Sequence, residues 1–242
     1  MFPLRDLLPP AAPPVTSRAL VVVCAIVFVV SLSDLESALL RYGAIAQMLT
    51  GAAPDGPLLV ADDGRSWLRV WTHMFLHADW FHLIMNLWFL WIFGDNVEAR
   101  VGRVRFVAFY LVCGLAALGA QVLAQPGFTG PMIGASGAIS GVLGAYLVFF
   151  PRAKVQTLLI LGFFVTVVVL PASAFLVYWF VLQLIGGAMD RGGGGGVAFF
   201  AHAGGFVAGV VGALLSRFWA PVKKPRRIEV KWDAPGDRRR LR

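Results

Sequence analysis

Four polar side chains lie inside apolar segments of the sequence, where such groups are costly and usually serve a function. They are His82, Asn86, Ser136 and His202. A serine hydroxyl beside an imidazole is the smallest activated nucleophile, because the imidazole accepts the hydroxyl proton. Ser136 and His202 are therefore candidates for nucleophilic catalysis, provided that the fold brings them together. His82 and Asn86 are four residues apart, so on a helix they would share one face.

The composition indicates an integral membrane protein. The chain has 242 residues, of which 58% are hydrophobic and 14% are charged, and its mean hydropathy is +0.75. Soluble domains are nearer about 45–50% apolar and about 25% charged. The net charge of +8 does not indicate nucleic-acid binding, because ten of the 21 Lys and Arg residues follow Ser216 in a basic tail. Such a tail is typical of a cytoplasmic membrane flank.

Apolar runs between charged residues predict six membrane spans. The spans are approximately 19–32, 81–97, 104–124, 134–150, 171–189 and 197–219. A further apolar run, 155–170, is short for a crossing and ends at a proline, so we expect it to connect two spans along the membrane surface. The predicted fold class is an all-α integral membrane protein with six transmembrane helices and a long outer loop, 33–80, between the first two.

The distribution of positive charge predicts the orientation. The side that holds both termini carries 17 of the Lys and Arg residues, and the opposite side carries four. Because positively charged flanks stay in the cytoplasm, we expect both termini there. The chain then divides into a cytoplasmic N-terminal segment (1–17), a membrane domain (18–219) and a basic cytoplasmic tail (220–242).

Helix length predicts that the four polar residues lie at one depth. Ser136 lies 16 residues before Arg152, and His202 lies 15 residues before Arg217. Both therefore stand roughly 22–24 Å above the cytoplasmic boundary, and the polar pair of the second span reaches a similar height. In a hydrocarbon core about 30 Å thick, this is the outer leaflet, so the fourth span begins inside the membrane. A helix N-terminus at that depth can stabilise negative charge.

Glycines predict which helices touch. They recur at three- and four-residue spacing on the fourth span, as Gly134, Gly137, Gly141 and Gly144, and on the sixth, as Gly205, Gly209 and Gly212. Faces without side-chain bulk allow two helices to approach closely in lipid. If these two faces pack together, Ser136 and His202 come within hydrogen-bonding reach.

Four segments of the sequence carry recognisable motifs: His77 followed by His82-Leu83-Ile84-Met85-Asn86, Gly94-Asp95-Asn96-Val97-Glu98-Ala99-Arg100, Gly134-Ala135-Ser136-Gly137, and Ala201-His202-Ala203-Gly204-Gly205. These motifs resemble those of the rhomboid intramembrane serine proteases. The resemblance covers approximately residues 17–219. It implies a rhomboid-like six-helix bundle.

The resemblance also implies an activity, the cleavage of single-span membrane proteins near the outer face of the bilayer. Ser136 would be the nucleophile and His202 the general base and later the general acid. His82, Asn86 and the Ser136 backbone N–H would form the oxyanion hole. No metal, cofactor or nucleic acid would take part. The expected location is a bacterial inner (cell) membrane.

Two positions depart from the family pattern. Trp67-Leu68-Arg69 stands where such proteases usually carry Trp-Arg, so the resemblance does not predict how the outer loop is anchored. Ser140 stands one turn after the nucleophile, where some members place an aromatic residue that stacks on the catalytic histidine.

Two other functions stay open at this point. A metal site or transporter would use the histidines at positions 73, 77, 82 and 202, but it lacks the carboxylate or H-E-x-x-H partner of such sites and leaves Ser136 unexplained. A catalytically inactive relative would bind membrane segments without cutting them. Such relatives typically lose the serine or the histidine, and both are present here.

Overall fold

The computed structural model describes residues 1–53, 64–189 and 198–216. The helices within these ranges are α1 (Val15–Ser31), α2 (Leu35–Tyr42), α3 (Ala46–Thr50), α4 (Ser66–Thr72), α5 (Trp80–Val101), α6 (Arg103–Ala124), α7 (Ser136–Phe149), α8 (Ala172–Met189) and α9 (Phe199–Ser216). The strands are β1 (Phe2–Asp6), β2 (Lys154–Leu161) and β3 (Phe164–Pro171). The predicted basic tail and the glycine run before α9 lie outside the described residues.

Helices α1, α5, α6, α7, α8 and α9 coincide with the six apolar runs of the sequence. Among the residues that the structure describes, four helical segments are long and apolar enough to cross a membrane: Val15–Tyr42, which includes α1 and α2, and helices α6, α8 and α9. The protein is therefore mostly helical and integral to a membrane. Helix α7 has 14 residues. At about 1.5 Å per residue, it spans roughly 21 Å, less than a hydrocarbon core of about 30 Å.

The glycine faces of α7 and α9 pack against each other, as the sequence predicts. A Cβ atom built on Gly209 would stand 1.9 Å from the carbonyl oxygen of Gly141, and one on Gly205 would stand 2.0 Å from that of Gly137. The two backbones thus touch with no room for a methyl group. Helix α6 closes the third side of this contact, because a Cβ on Gly141 would also meet the Cys113 side chain at 2.4 Å.

An aromatic cluster fills the space between α5, α7 and α8. The Phe93 ring lies 5.0 Å from the Tyr146 ring and 6.1 Å from the Phe175 ring, measured between centroids. All three side chains are almost fully buried. This core fixes α7 between its neighbours at the end opposite Ser136.

A three-stranded antiparallel sheet corrects the all-α prediction. Residues 155–170, expected to run along the membrane surface as a connection, form the hairpin of β2 and β3, with Leu158 opposite Val167. The physical reason is local: residues 165–169 are all β-branched, and Gly162 turns the chain at φ +59°. Strand β1 pairs with β2 and gives the order β1-β2-β3.

The N-terminal residues are held to the helical bundle by side chains of α5 and α7. The Trp88 indole donates to the Pro3 carbonyl at 2.7 Å. The buried Tyr146 hydroxyl and the Asn96 amide both donate to one carboxylate oxygen of Asp6. Burial raises the pKa of Asp6 above its ordinary value of 3.8, and these hydrogen bonds partly oppose the effect.

Glu98 caps the first turn of α1 from the end of α5. Its carboxylate accepts the backbone N–H groups of Val15, Thr16 and Ser17 at 3.0, 2.8 and 2.7 Å. Those N–H groups have no acceptor within their own helix, and the negative charge complements the helix dipole. The start of α1, the end of α5 and the strands after α7 therefore lie at the same end of the molecule.

At the opposite end, Arg69 organises the segment between α1 and α5. Its guanidinium is 1% exposed and donates to the carbonyls of Leu40 and Gly43. The Thr72 hydroxyl adds a bond to the Tyr42 carbonyl at 2.6 Å. The arginine of Trp67-Leu68-Arg69 thus anchors α4 to the residues after α2.

Candidate active site

Ser136 is the first residue of α7, and the turn before it requires glycine. Gly134 has φ +114°, a conformation that residues with a Cβ rarely adopt. A Cβ at this position would also stand 2.8 Å from Nε2 of His82. The Gly134 N–H donates to the His73 carbonyl at 2.9 Å, which ties this turn to the segment before α5.

His202 lies in the first turn of α9 and meets Ser136 across the glycine contact. Its Nε2 atom is 2.8 Å from the Ser136 hydroxyl oxygen. Its Nδ1 atom is 2.8 Å from Oε1 of Gln183 on α8. Both ring nitrogens of His202 thus have a partner, a hydroxyl on one side and an amide oxygen on the other.

The start of α9 is fixed by Gln121 near the end of α6. Its Oε1 atom accepts the Ala201 backbone N–H at 3.1 Å, and its amide donates to Gln125 at 2.7 Å. Gln121 is 3% exposed. It thereby satisfies one of the N–H groups that a helix start leaves without a partner, directly beside His202.

His82 lies at the site, whereas the hydrogen bond of Asn86 stays within its own helix. The His82 ring stands against the turn that precedes Ser136 and lies 5.2 Å from the His77 ring. The Asn86 amide donates to the carbonyl of His82 at 2.8 Å, within its own helix. The structure therefore brings His82 next to Ser136, and it gives Asn86 no bond to Ser136 or His202.

The surroundings of Ser136 favour a developing negative charge. Its backbone N–H and that of Gly137 belong to the first turn of α7, where no intrahelical acceptor is present. The positive end of the helix dipole adds to them. A cavity of about 20 Å³ lies beside these groups, enough for one water molecule.

The aromatic neighbour of His202 comes from α8, because the position one turn after Ser136 is a serine, Ser140. The Ser140 hydroxyl donates to the Ser136 carbonyl at 2.7 Å and remains within its own helix. The ring that packs on His202 instead belongs to Trp179 of α8, at a centroid distance of 6.0 Å and an interplanar angle of 39°. An aromatic neighbour is thus supplied from another helix.

The histidines do not gather into a metal site. His202 faces Ser136, and Nδ1 of His73 bonds to the Arg69 carbonyl at 3.2 Å. Among the residues that the structure describes, no group of three His, Cys, Asp or Glu side chains has the geometry to hold a metal ion. Burial lowers the pKa of both His73 and His77 to about 4, so both are neutral at physiological pH.

Sequence reasoning missed Gln121, Trp179 and Gln183. The signal for Gln183 was present, because it is a strongly polar residue in the middle of the apolar helix α8. Trp179 lies one helical turn before it, so both side chains face the same direction. Nothing in the sequence said which helix that face meets.

Comparison with known proteins gives matches to one family. A family model described as the Rhomboid domain matches residues 64–218. Rhomboid protein 1, mitochondrial, of Saccharomyces cerevisiae is 35% identical over 102 residues, which are 40% of this chain and 30% of that protein. Rhomboid-like protein 11, chloroplastic, of Arabidopsis thaliana is 35% identical over 111 residues, 45% and 39% of the two chains. Rhomboid protease GluP of Bacillus subtilis is 41% identical over 81 residues, 34% and 15% of the two chains.

The aligned segments cover less than half of each of these relatives. The domain match, in contrast, includes well over half of the present chain, from before α4 to the end of α9. Both members of the serine–histidine pair lie within it. The chain belongs to the rhomboid family.

Proposed function

We propose that this protein is an intramembrane serine endopeptidase that cuts single-span membrane proteins near the outer face of the bilayer. The observation that carries the proposal is the 2.8 Å contact between the Ser136 hydroxyl and Nε2 of His202. An imidazole at this distance can take the hydroxyl proton as the oxygen attacks. The name of the Bacillus subtilis relative, a rhomboid protease, supports the same activity.

The reaction follows from this pair. The Ser136 oxygen attacks the carbonyl carbon of the scissile peptide while its proton moves to Nε2 of His202. The C–N bond then breaks, and His202 donates that proton to the leaving amine, which leaves an ester on Ser136. Water attacks the ester and gives a proton to His202. The C–O bond to Ser136 then breaks, His202 returns its proton to the serine oxygen, and the carboxylic acid product leaves and loses its remaining proton to solvent.

The negative charge of the tetrahedral intermediate would form at the N-terminus of α7. The Ser136 N–H is one donor in position, and the His82 ring, next to the preceding turn, is a second. The Asn86 amide has two N–H groups, of which one bonds to the His82 carbonyl, and the other would be a third donor.

The proposed topology has six crossings with both termini in the cytoplasm. The N-terminal strand, the capped start of α1 and the strands after α7 lie together at one end, whereas the starts of α7 and α9 lie at the other. The positive charge of the loops favours the cytoplasm for the first of these ends. Cleavage would then occur in the outer leaflet. A bacterial inner membrane stays a prediction.

The activity test compares purified variants on a model single-span substrate reconstituted in liposomes. We expect the parent chain to cut the substrate, and Ser136→Ala or His202→Ala to lower the rate by at least about 10³-fold without loss of folding. The control is Ser216→Ala, because that hydroxyl only donates to the Ala213 carbonyl at the far end of α9. Full activity of Ser136→Ala would overturn the proposal.

An inactive, substrate-binding relative is the second candidate, and the same samples separate the two. A binder would retain the substrate in a pull-down and release no fragments, whatever residue stands at position 136. For the topology, a reporter that is active only outside the cytoplasm, fused after Arg242, should remain silent. Reporter activity would require an odd number of crossings.

A further inference from the structure

We propose that Gln183 is a positioning residue that sets the tautomer of His202, an inference that rests on the proposed function. Gln183 lies on α8, and its Oε1 atom is 2.8 Å from Nδ1 of His202. The other ring nitrogen, Nε2, is 2.8 Å from the Ser136 hydroxyl. One imidazole thus connects an amide on one helix with a hydroxyl on another.

The two bonds demand a particular distribution of protons. A neutral imidazole has one nitrogen that donates and one that accepts. To take the Ser136 proton, Nε2 must be the acceptor, so the hydrogen must reside on Nδ1. An amide oxygen is only an acceptor, and its position opposite Nδ1 therefore stabilises the tautomer that the reaction needs. In a conventional triad a carboxylate has this role.

Gln183 is a polar residue on a helix whose neighbouring side chains are apolar and exposed. Leu182 and Leu184 are 43% and 49% exposed. A glutamine in such a helix is costly unless its amide is paired. The observed pairing is with His202, and Trp179, one turn earlier on the same face, packs against the same ring.

The approach of α8 to α9 is fixed close to this contact. A Cβ on Gly186 would stand 2.4 Å from the Phe199 ring, so the two helices meet closely one turn beyond Gln183. Trp179 also packs on Phe206, at a centroid distance of 6.0 Å, one turn after His202. The His202 ring is thus enclosed between two contacts that leave its Nδ1 atom opposite the amide.

Two substitutions at position 183 separate tautomer control from simple packing. Gln183→Leu keeps the size of the side chain and removes the acceptor. General acid–base catalysis contributes about 10²–10⁴-fold, and we expect Gln183→Leu to lower kcat by at least about 10-fold with little change in KM. Gln183→Glu keeps an acceptor and adds a negative charge. We expect it to retain most of the rate and to move the acidic limb of the pH–rate profile to higher pH, because the carboxylate stabilises the imidazolium.

A spectroscopic measurement makes the test independent of cleavage. The chain has four histidines, so ¹⁵N-histidine spectra in detergent are simple, and His202→Gln identifies the signal of position 202. The parent chain and Ser136→Ala should show His202 with hydrogen on Nδ1, and Gln183→Leu should show a mixture of tautomers or the opposite one. Tyr178→Leu, an exposed change on the same helix, is the control and should alter neither the spectrum nor the rate.

The outcomes distinguish this inference from the proposed function. A parent chain that cuts no substrate contradicts the proposed function, while the His202 spectrum still reports on Gln183. An unchanged tautomer together with a near-normal kcat in Gln183→Leu would overturn the positioning role. If Gln183→Leu does not fold, Gln183→Glu decides: an unshifted pH–rate profile and an unchanged spectrum would overturn it as well.

Discussion

Gly209 lies so close to Gly141 that a methyl group added to it would stand 1.9 Å from the Gly141 carbonyl oxygen. This contact sets the distance between α7 and α9, and therefore between the serine and the histidine that begin them. The separation of Ser136 and His202 thus depends on a contact between two backbones.

Gly209→Ala should therefore separate the two helices and disturb the site at a distance. We expect the melting temperature to fall, since forced overpacking costs typically about 1–3 kcal/mol. Displacing the serine from the histidine by about 1 Å should lower the cleavage rate by about 100-fold. The control is Gly119→Ala, where an added Cβ has nothing within 4 Å. Equal rates for the two variants would contradict the prediction.

Asn86→Ala separates a role in chemistry from a role in packing. If the amide becomes an oxyanion donor when substrate binds, the cleavage rate should fall by about 10²–10³-fold while stability is nearly unchanged. If the amide is only a polar contact between helices, Asn86→Ala should lower the free energy of unfolding by about 0.6 kcal/mol and change the cleavage rate little. Cleavage rate and melting temperature are measured on the same sample. We expect the first result, and a near-normal rate with a lowered melting temperature would remove Asn86 from the proposed oxyanion hole.

Glu98→Ala should destabilise the protein without acting on the chemistry. The three backbone N–H groups that the carboxylate accepts would lose their partner, and hydrogen bonds to charged groups contribute about 1.5–3 kcal/mol. We expect the free energy of unfolding to fall by at least that amount, measured in detergent with denaturant. Glu36→Ala, at an exposed carboxylate, should leave stability unchanged. A parent-like stability of Glu98→Ala would show that the cap contributes nothing.

Asp6 should make stability depend on pH. Its pKa in the folded protein is raised above 3.8 by burial. The folded state therefore holds its proton more tightly than the unfolded chain, and stability falls as pH rises from about 3.8 through the folded pKa. Asp6→Asn carries no charge at any pH and should lack this component. As pH rises through this window, the melting temperature of the parent should fall relative to that of Asp6→Asn. A difference between the two that does not change with pH would contradict the prediction.

The sequence predicted the part of the fold that depends on hydropathy and helix length. Helices appear at the apolar runs, four helical segments of the described residues are long and apolar enough to cross a membrane, and Ser136 begins a helix too short to do so. The approach of the two glycine faces was also predictable, because the spacing of glycines is a property of each helix alone. These features are local, so each segment carries its own signal.

The sheet and Gln183 were not predicted, for two different physical reasons. The run 155–170 is apolar enough to be interpreted as a membrane-surface connection, and its β-branched residues indicate a strand only once Gly162 is recognised as a turn. Strand β1 includes Pro3, and its partner lies beyond α7, so no local pattern marks it. Gln183 is uncharged, and its role depends on which helix faces α8, information that exists only in three dimensions.

The pairing of β1 with β2 has a consequence for the order in which the protein forms during synthesis. Strand β1 leaves the ribosome well before its partner strand and the tyrosine that bonds to Asp6, which emerge only after α5 and α6 have been made. The entropic cost of closing a loop grows only slowly with its length, so the long separation between β1 and β2 costs little stability. Until α7 and the hairpin are complete, the N-terminal segment of the nascent chain therefore has only the α5 side chains Trp88 and Asn96 as partners. A probe near Met1 that becomes protected from protease would mark the moment at which this end of the bundle has assembled.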